Sequence, residues 1–386
     1  MKFQILKYFQ SVNDFNLKTA KTIRMASLSP RKKTTAQKKS AASPSDFSWG
    51  SQETLYFFEL TPDRILDAAE TIGVRCTGRC LTLNSMENRV FDVEIETDTP
   101  PLHPSEKSRI IKFYRPGRWT REQIKEEHQF LTDLRDADIP SIAPIADANG
   151  ETLHKMQELD IFFSVFPKQG GRHCDELQGE EWDRVGQLLA RIHIVGAKRT
   201  APHRLTLDPQ TYGLSSLNYL LKTEAIHPEF QKPFSEVVQS ICEMSAPWFQ
   251  RAEKQRLHGD GHWGNLLWGN LGPAWVDFDD MINGPCVQDL WLMTAGRDED
   301  TVRNRELLID GYEKMRTFDH ETWRLVEPLR ALRYVHFSAW ISKRWKDPAF
   351  PAKFQQFGTR QYWQDQVHDL EDVWNWMNKT DGSLNF

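Results

Sequence analysis

The sequence predicts an α+β chain of two lobes, a small β-rich first lobe and a larger, mostly helical second lobe. Three observations carry that prediction. Short apolar runs with strand-like alternation lie between residues 81 and 167, whereas helix-period apolar stripes dominate from Trp182 onward. The length, 386 residues, exceeds what one hydrophobic core ordinarily holds, and an apolar content of 39% with 11% aromatic residues is globular. The expected segments are a basic tail over 1–45, a first lobe over 46–167 and a second lobe over 168–386.

In chain order, residues 1–43 hold ten Lys or Arg against the single acid Asp14. A Ser/Thr/Lys/Ala-rich stretch of that kind reads as a disordered basic tail. Met25 within it is an alternative start, and its two arginines are too few for a typical organelle transit peptide. Leu81–Val90 is a polar, glycine-free stretch whose backbone N–H groups, with Ser85 or Asn84, can receive an anion; taken alone it is an ordinary turn. Phe91, Val93 and Ile95 then alternate with polar residues, and Arg109–Tyr114 is a second β-type run with Lys112 at its centre. The plain reading of Lys112 is an edge-strand lysine.

Thr120-Arg121-Glu122-Gln123 has the form of a capping box, after which Ile124, Glu127, His128, Leu131 and Leu134 recur at helical spacing. Glu127 thus falls on an apolar stripe, where an unpaired carboxylate is costly. It needs a cation, and Lys112 is the candidate, with the more exposed Glu126 as the fallback carboxylate. Ile161–Pro167 reads as a buried strand ending at a proline, with Gln169-Gly170-Gly171 as a hinge. Trp182, Val185, Leu188, Leu189 and Ile192 mark one amphipathic helix; Leu325, Leu329, Leu332, His336 and Trp340 mark another. His193 and His336 read as satisfied core histidines, and Arg330, Arg333, Lys343 and Arg344 as solvated charges around aromatic packing rather than a peptide groove.

The chemistry concentrates in Leu257–Trp268, followed by Trp275-Val276-Asp277-Phe278-Asp279-Asp280. Leu266, Trp268, Val276 and Phe278 are strand formers around Gly269-Asn270-Leu271-Gly272-Pro273, which predicts a β-hairpin. With the loop centred on Leu271, position 265 falls opposite 277, so Asn265 and Asp277 share one face at the open end. Magnesium takes hard oxygen ligands and draws only one or two from protein when phosphates supply the rest. Asp260 stands five residues before Asn265, the offset at which a kinase-type carboxylate orients or deprotonates an attacking hydroxyl. A solvated Gly-Asp turn is the alternative for either half alone. His258 and His262 are four apart, but Gly259, Gly261 and Gly264 argue against a metal-binding helix there.

His258-Gly259-Asp260-x4-Asn265, Val276-Asp277-Phe278-Asp279-Asp280 and Gly284-Pro285-x3-Asp289-Leu290-Trp291 resemble the aminoglycoside-phosphotransferase/choline-kinase superfamily, a branch of the protein-kinase-like fold. Leu83–Val90, Lys112–Thr120, Glu126–Phe130, Val165–Arg172 and Asn283–Trp291 are similar to its bacterial stress response kinase branch. The resemblance covers about residues 55 to 366. It implies two lobes with ATP in the cleft, Asp260 as proton acceptor, Asn265 and Asp277 as Mg²⁺ ligands, Asp277 counted also with the active site, and Ser85 on ATP. It further implies a cytoplasmic serine/threonine protein kinase associated with stress responses. The motif itself does not separate a protein acceptor from a small alcohol such as choline, homoserine or an aminoglycoside.

The remaining observations bear on partners. Outside the tail the chain is strongly acidic, which argues against general nucleic-acid binding. Five cysteines without a paired framework fit a reducing compartment, and Cys76-x3-Cys80 lacks the second pair that zinc needs. No apolar run approaches the length of a membrane-spanning helix. A monomer without a membrane or nucleic-acid partner is expected.

Overall fold

The computed structural model describes residues 57–380 except 58, 84, 175 and 271. The basic tail, Met25 and Asn84 lie outside the described residues. The chain forms two compact units, one running to Thr120 and resuming over Ile145–Lys168, the other taking Arg121–Pro144 and everything from Gln169.

The first unit is one helix and one sheet. Helix α1 (Pro62–Glu70) starts with Thr61 as cap and proline in its first turn, a favourable start because both groups suit unsatisfied N-terminal positions. Strands β1 (Cys76–Leu83), β2 (Arg89–Ile95), β3 (Ser108–Phe113), β4 (His154–Met156) and β5 (Ile161–Pro167) pair antiparallel in the order β1-β2-β3-β5-β4. Alternate residues Phe91, Val93, Ile111, Phe113, Ile161, Phe163 and Val165 join Ile65, Ala68 and Ala69 of α1 in one core. The Phe113 ring lies 5.5 Å from Phe163 and 5.9 Å from Phe91. β3 is the middle strand, and Lys112 stands opposite Val90 on one side and Ser164 on the other. The edge-strand explanation of Lys112 is therefore incorrect.

The second unit is mostly helical. Helix α2 (Arg121–Asp136) buries the expected stripe of Ile124, Glu127, His128, Leu131 and Leu134, together with Gln123 and Phe130. The sequence pattern sets this helix in the first lobe; its contacts group it with the second unit. Gln123 Nε2 donates to His203 O at 2.9 Å, and the Glu126 carboxylate accepts the N–H groups of His203 and Arg204.

Helix α3 (Glu180–Gly196) buries Trp182, Val185, Leu188, Leu189 and Ile192 as its periodicity predicts. It meets α7 (Glu299–Glu313) at Gly186, where a Cβ would stand 2.1 Å from Leu308 O; only glycine allows that approach. A π-turn at Pro209–Leu214 leads into α4 (Ser215–Lys222), followed by α5 (Gln231–Arg251). Short strands β6 (Arg172–His173), β8 (Leu266–Gly269) and β9 (Gly272–Trp275) form one sheet, and β7 (Gln255–Leu257) pairs with β10 (Ile282–Gly284). Helices α6 (Val287–Trp291), α8 (Val326–Lys343), α9 (Ala349–Lys353) and α10 (Arg360–Thr380) complete it. Among the described residues no helix is long and apolar enough to cross a membrane.

Candidate active site

β7 ends at Leu257, and the chain then enters the loop that carries Asp260. That loop is anchored by its backbone. Asp289 at the start of α6 is fully buried; its Oδ2 accepts the His258 N–H and its Oδ1 the Gly259 N–H, each at 2.9 Å. His193 Nε2 lies 3.1 Å from the same Oδ2, and the Tyr312 hydroxyl 3.0 Å from His193 Nδ1. Gln288 Nε2 donates to Gly259 O at 3.0 Å. Gly259 has φ +85°, and a Cβ there would stand 2.2 Å from Asp280 O, so the turn requires glycine.

Burial opposes a charge on His193, yet Cys286, then Tyr312 and Asp289, outweigh it and raise its pKa well above the ordinary histidine value. His193 is thus the satisfied core histidine expected, and it also steadies the carboxylate that holds the loop. His258 is buried, with Nε2 2.9 Å from Val276 O and its ring 4.4 Å from Phe278. It ties the Asp260 loop to the far strand of the hairpin.

The hairpin differs from expectation by one residue. Leu266 pairs with Trp275 and Gly269 with Gly272, so position 265 falls opposite 276, and the Val276 N–H donates to Asn265 O at 3.0 Å. Asp277 stands one residue further on, at φ 60° and ψ 68°, opening the 3₁₀ turn Phe278–Asp280. In a continuous strand a one-residue slip turns every side chain to the opposite face. Here the left-handed backbone at Asp277, a conformation that Asp138, Asp160 and Glu224 also adopt, ends the alternation.

Asn265 donates from Nδ2 to Asp260 O at 3.0 Å, and its own N–H to His262 O at 2.9 Å. The Nδ2 group is thereby the donor side of the amide, and Oδ1 is its acceptor oxygen. An amide oxygen and the Asp277 carboxylate are the hard donors that Mg²⁺ accepts when phosphate and water complete its shell.

The Asp260 carboxylate accepts from Arg333 Nη2 at 2.8 Å on Oδ1, while His262 Nε2 lies 3.2 Å from Oδ2. Burial opposes its ionisation, but His262 and then Arg333 overcome that and hold the carboxyl well below the usual carboxylate range. Arg333, a solvated charge by its sequence context, instead joins α8 to the site. Its only sequence signal is its place beside the apolar face of α8.

The first unit carries its own polar cluster at the glycine-free turn. The Ser85 hydroxyl accepts the Asn88 N–H at 3.2 Å. Asn88 Oδ1 accepts the Arg115 N–H at 3.1 Å, and the buried Arg115 guanidinium donates to Glu87 O and Met86 O at 2.9 and 3.0 Å. Arg115, part of the Lys112–Thr120 motif but given no role by the sequence, fastens in place a loop that has no glycine to make it pliant. Lys112 is buried, with Nζ 4.9 Å from the centre of the Tyr114 ring.

Glu127 is buried as its stripe position requires, and Arg204 Nη2 donates to its Oε2 at 3.1 Å. Arg204 also donates to Gln123 O at 2.8 Å and to Asp279 O at 2.7 Å. A single buried guanidinium therefore links α2 to the backbone two residues after Asp277. Nothing in the sequence distinguishes Arg204 from other loop arginines.

Residues 83–329 match the phosphotransferase enzyme family. Stress response kinase A of Escherichia coli strain K12 is 38% identical over 312 residues, which cover 81% of this chain and 92% of that protein. The serine/threonine protein kinase RdoA of Salmonella typhimurium is 36% identical over 313 residues, again 81% and 92%. Among solved structures, an amicoumacin kinase in complex with AMP-PNP and Ca²⁺ has a TM-score of 0.62 at 16% identity, covering 80% of this chain and 93% of that one. A microcompartment-associated aminopropanol kinase has a TM-score of 0.60 at 16% identity, covering 81% and 97%. At that identity the two structures bear on fold alone, and they agree with the α+β kinase-like architecture.

Proposed function

We propose, from the premise that this chain belongs to the phosphotransferase enzyme family, that it is an ATP- and Mg²⁺-dependent serine/threonine protein kinase of the stress response type. The observation that carries this is the set of Asp260, Asn265 and Asp277: the Asn265 amide is hydrogen-bonded to the backbone carbonyl of Asp260, and Asp277 supplies a second carboxylate on a left-handed turn at the end of the same hairpin. The relative named a serine/threonine protein kinase supports the protein acceptor.

Asp260 accepts the proton of a serine or threonine hydroxyl as that oxygen bonds to the γ-phosphorus and the bond to the β-phosphate oxygen breaks, releasing ADP. Asn265 and Asp277 hold Mg²⁺, which neutralises phosphate charge when bound. Lys112, with Glu127 as counter-ion, contacts the α- and β-phosphates, and Ser85 the nucleotide. The enzyme works as a cytoplasmic monomer.

The test is transfer of label from ATP with Mg²⁺ to the protein itself, to a generic serine-containing protein and to a panel of alcohols that includes choline, homoserine and aminopropanol. Labelled phosphoserine or phosphothreonine is the expected result. Label confined to a small alcohol makes the enzyme a small-molecule kinase instead.

A further inference from the structure

We propose that His262 is a positioning residue with two separable tasks: one ring nitrogen orients the Asp260 carboxylate toward the acceptor hydroxyl, and the other closes the turn that presents Asn265 to the metal. This deepens the phosphotransferase assignment and rests on Asp260 as base and Asn265 as metal ligand.

The hydrogen bonds divide the ring. The Gly264 N–H donates to His262 Nδ1 at 2.9 Å, so that nitrogen is an acceptor and carries no proton. The proton of the neutral ring is then on Nε2, which lies 3.2 Å from Asp260 Oδ2 and donates to it. A backbone amide two residues on therefore sets the tautomer that Asp260 meets. Both ring nitrogens are engaged, which accounts for His262 without making it a metal ligand.

The two contacts serve different groups. An aspartate carboxyl turns about a broad, roughly twofold torsion unless its oxygens are held. Arg333 from α8 holds Oδ1 at 2.8 Å and His262 holds Oδ2, so the carboxylate plane is fixed from both sides while each oxygen keeps a further lone-pair site for a hydroxyl. His262 is also the N-cap of the 3₁₀ turn Trp263–Asn265. Its N–H donates to Asp260 O at 2.8 Å, its O accepts the Asn265 N–H at 2.9 Å, and Asn265 Nδ2 returns to Asp260 O at 3.0 Å. The ring thus belongs to the same closed set of bonds as the metal-type amide. His258 differs: it is fully buried, and its ring meets backbone groups, the Asp260 N–H at 3.3 Å and Val276 O at 2.9 Å.

His262→Asn and His262→Gln separate the tasks in the full chain. Asn puts an amide oxygen where Nδ1 stood and is a favoured cap, but it is too short for Asp260; Gln puts an amide N–H₂ where Nε2 stood and leaves the Gly264 N–H without its acceptor. With Mg·ATP and a serine-containing protein, His262→Asn should lower kcat by about tenfold to a hundredfold, as loss of one hydrogen bond to a charged group predicts, with the half-saturating Mg²⁺ concentration within about twofold. His262→Gln should raise that concentration by roughly fivefold, the size of a lost cap bond, and keep a higher kcat at saturating metal than His262→Asn. Imidazole nitrogen NMR before metal is added, with the His262 signal assigned by its loss in His262→Gln, should show Nε2 protonated and Nδ1 bare at the pH of the assay. Thermal melting establishes that each variant is folded. Wild-type behaviour of both variants, parallel loss of kcat and metal response in both, or a proton on Nδ1 overturns the division of tasks while leaving Asp260 as base. Equal phosphotransfer by wild type and Asp260→Asn instead removes the base assignment on which the proposal rests.

Discussion

Replacing Asp289 by Asn tests whether the Asp260 loop is held from beneath. The carboxylate is fully buried and accepts two backbone N–H groups at 2.9 Å while facing His193 at 3.1 Å. Asn keeps one acceptor oxygen and turns an amide N–H₂ toward a backbone donor. One charge-assisted bond, about 1.5–3 kcal/mol, is lost, and one buried N–H is left unsatisfied at about 1–3 kcal/mol. The expected loss is roughly 3–5 kcal/mol. For a unit of this size each kcal/mol moves the melting temperature by about 2–4 °C, so calorimetry should show a fall of roughly 6–20 °C. Below the new midpoint the loop still forms but is less well held, and a misplacement of Asp260 by about 1 Å lowers kcat by roughly a hundredfold. KM for ATP should stay within about twofold. A variant with wild-type melting and wild-type kcat would refute the bracing role of Asp289.

Three further outcomes follow from the same structure. Arg204→Met removes the described cation from buried Glu127 and should cost about 3–5 kcal/mol in urea unfolding; the double variant with Glu127→Met should recover most of it, and an equal loss in both would contradict a charge origin. Asp277→Asn should raise the Mg²⁺ concentration for half-maximal phosphotransfer by about tenfold, and an unchanged metal titration would remove Asp277 from the metal site. Glu327 is buried, which opposes its charge, but Arg330 and then Arg297 hold its pKa below the usual glutamate value. A depressed folded pKa gives stability that is present above the unfolded value, about 4.3, and is lost as pH falls through the folded one. The stability gap between wild type and Glu327→Gln should therefore shrink on acidification below about pH 4.3; a gap independent of pH would rule out this linkage.

Much of the fold is legible in the sequence because its elements follow local periods. Phe91, Val93 and Ile95 alternate, and the Ile124-to-Leu134 stripe repeats at helical spacing; both patterns survive in the strand and helix that form. The metal-type hairpin is legible in kind but not in register. Glycine and asparagine permit turns of several lengths, and a left-handed backbone at Asp277, a conformation that aspartate tolerates, is not announced by the alternation of the strand before it.

Arg115, Arg204, Asp289 and Arg333 do not stand out in the sequence as structural supports. Their partners lie far along the chain, 73 residues separating Arg333 from Asp260 and 77 separating Arg204 from Glu127. A sequence pattern reports which residues can be charged and which face they occupy. It does not report which distant charge they meet. Glu127 is the exception in one respect, since its place on an apolar stripe by itself demands a cation, although the pattern does not say that Arg204 supplies one.

The most direct measurement is single-turnover phosphotransfer from labelled Mg·ATP to a serine-containing protein by wild type and by Asp260→Asn, with nucleotide binding measured in parallel. Asparagine keeps the size and the backbone contact to Asn265 but cannot take the hydroxyl proton. Phosphotransfer should slow by about 10²–10⁴-fold while ATP affinity stays within about twofold. Transfer by Asp260→Asn at the wild-type rate would contradict the assignment of Asp260 as the base.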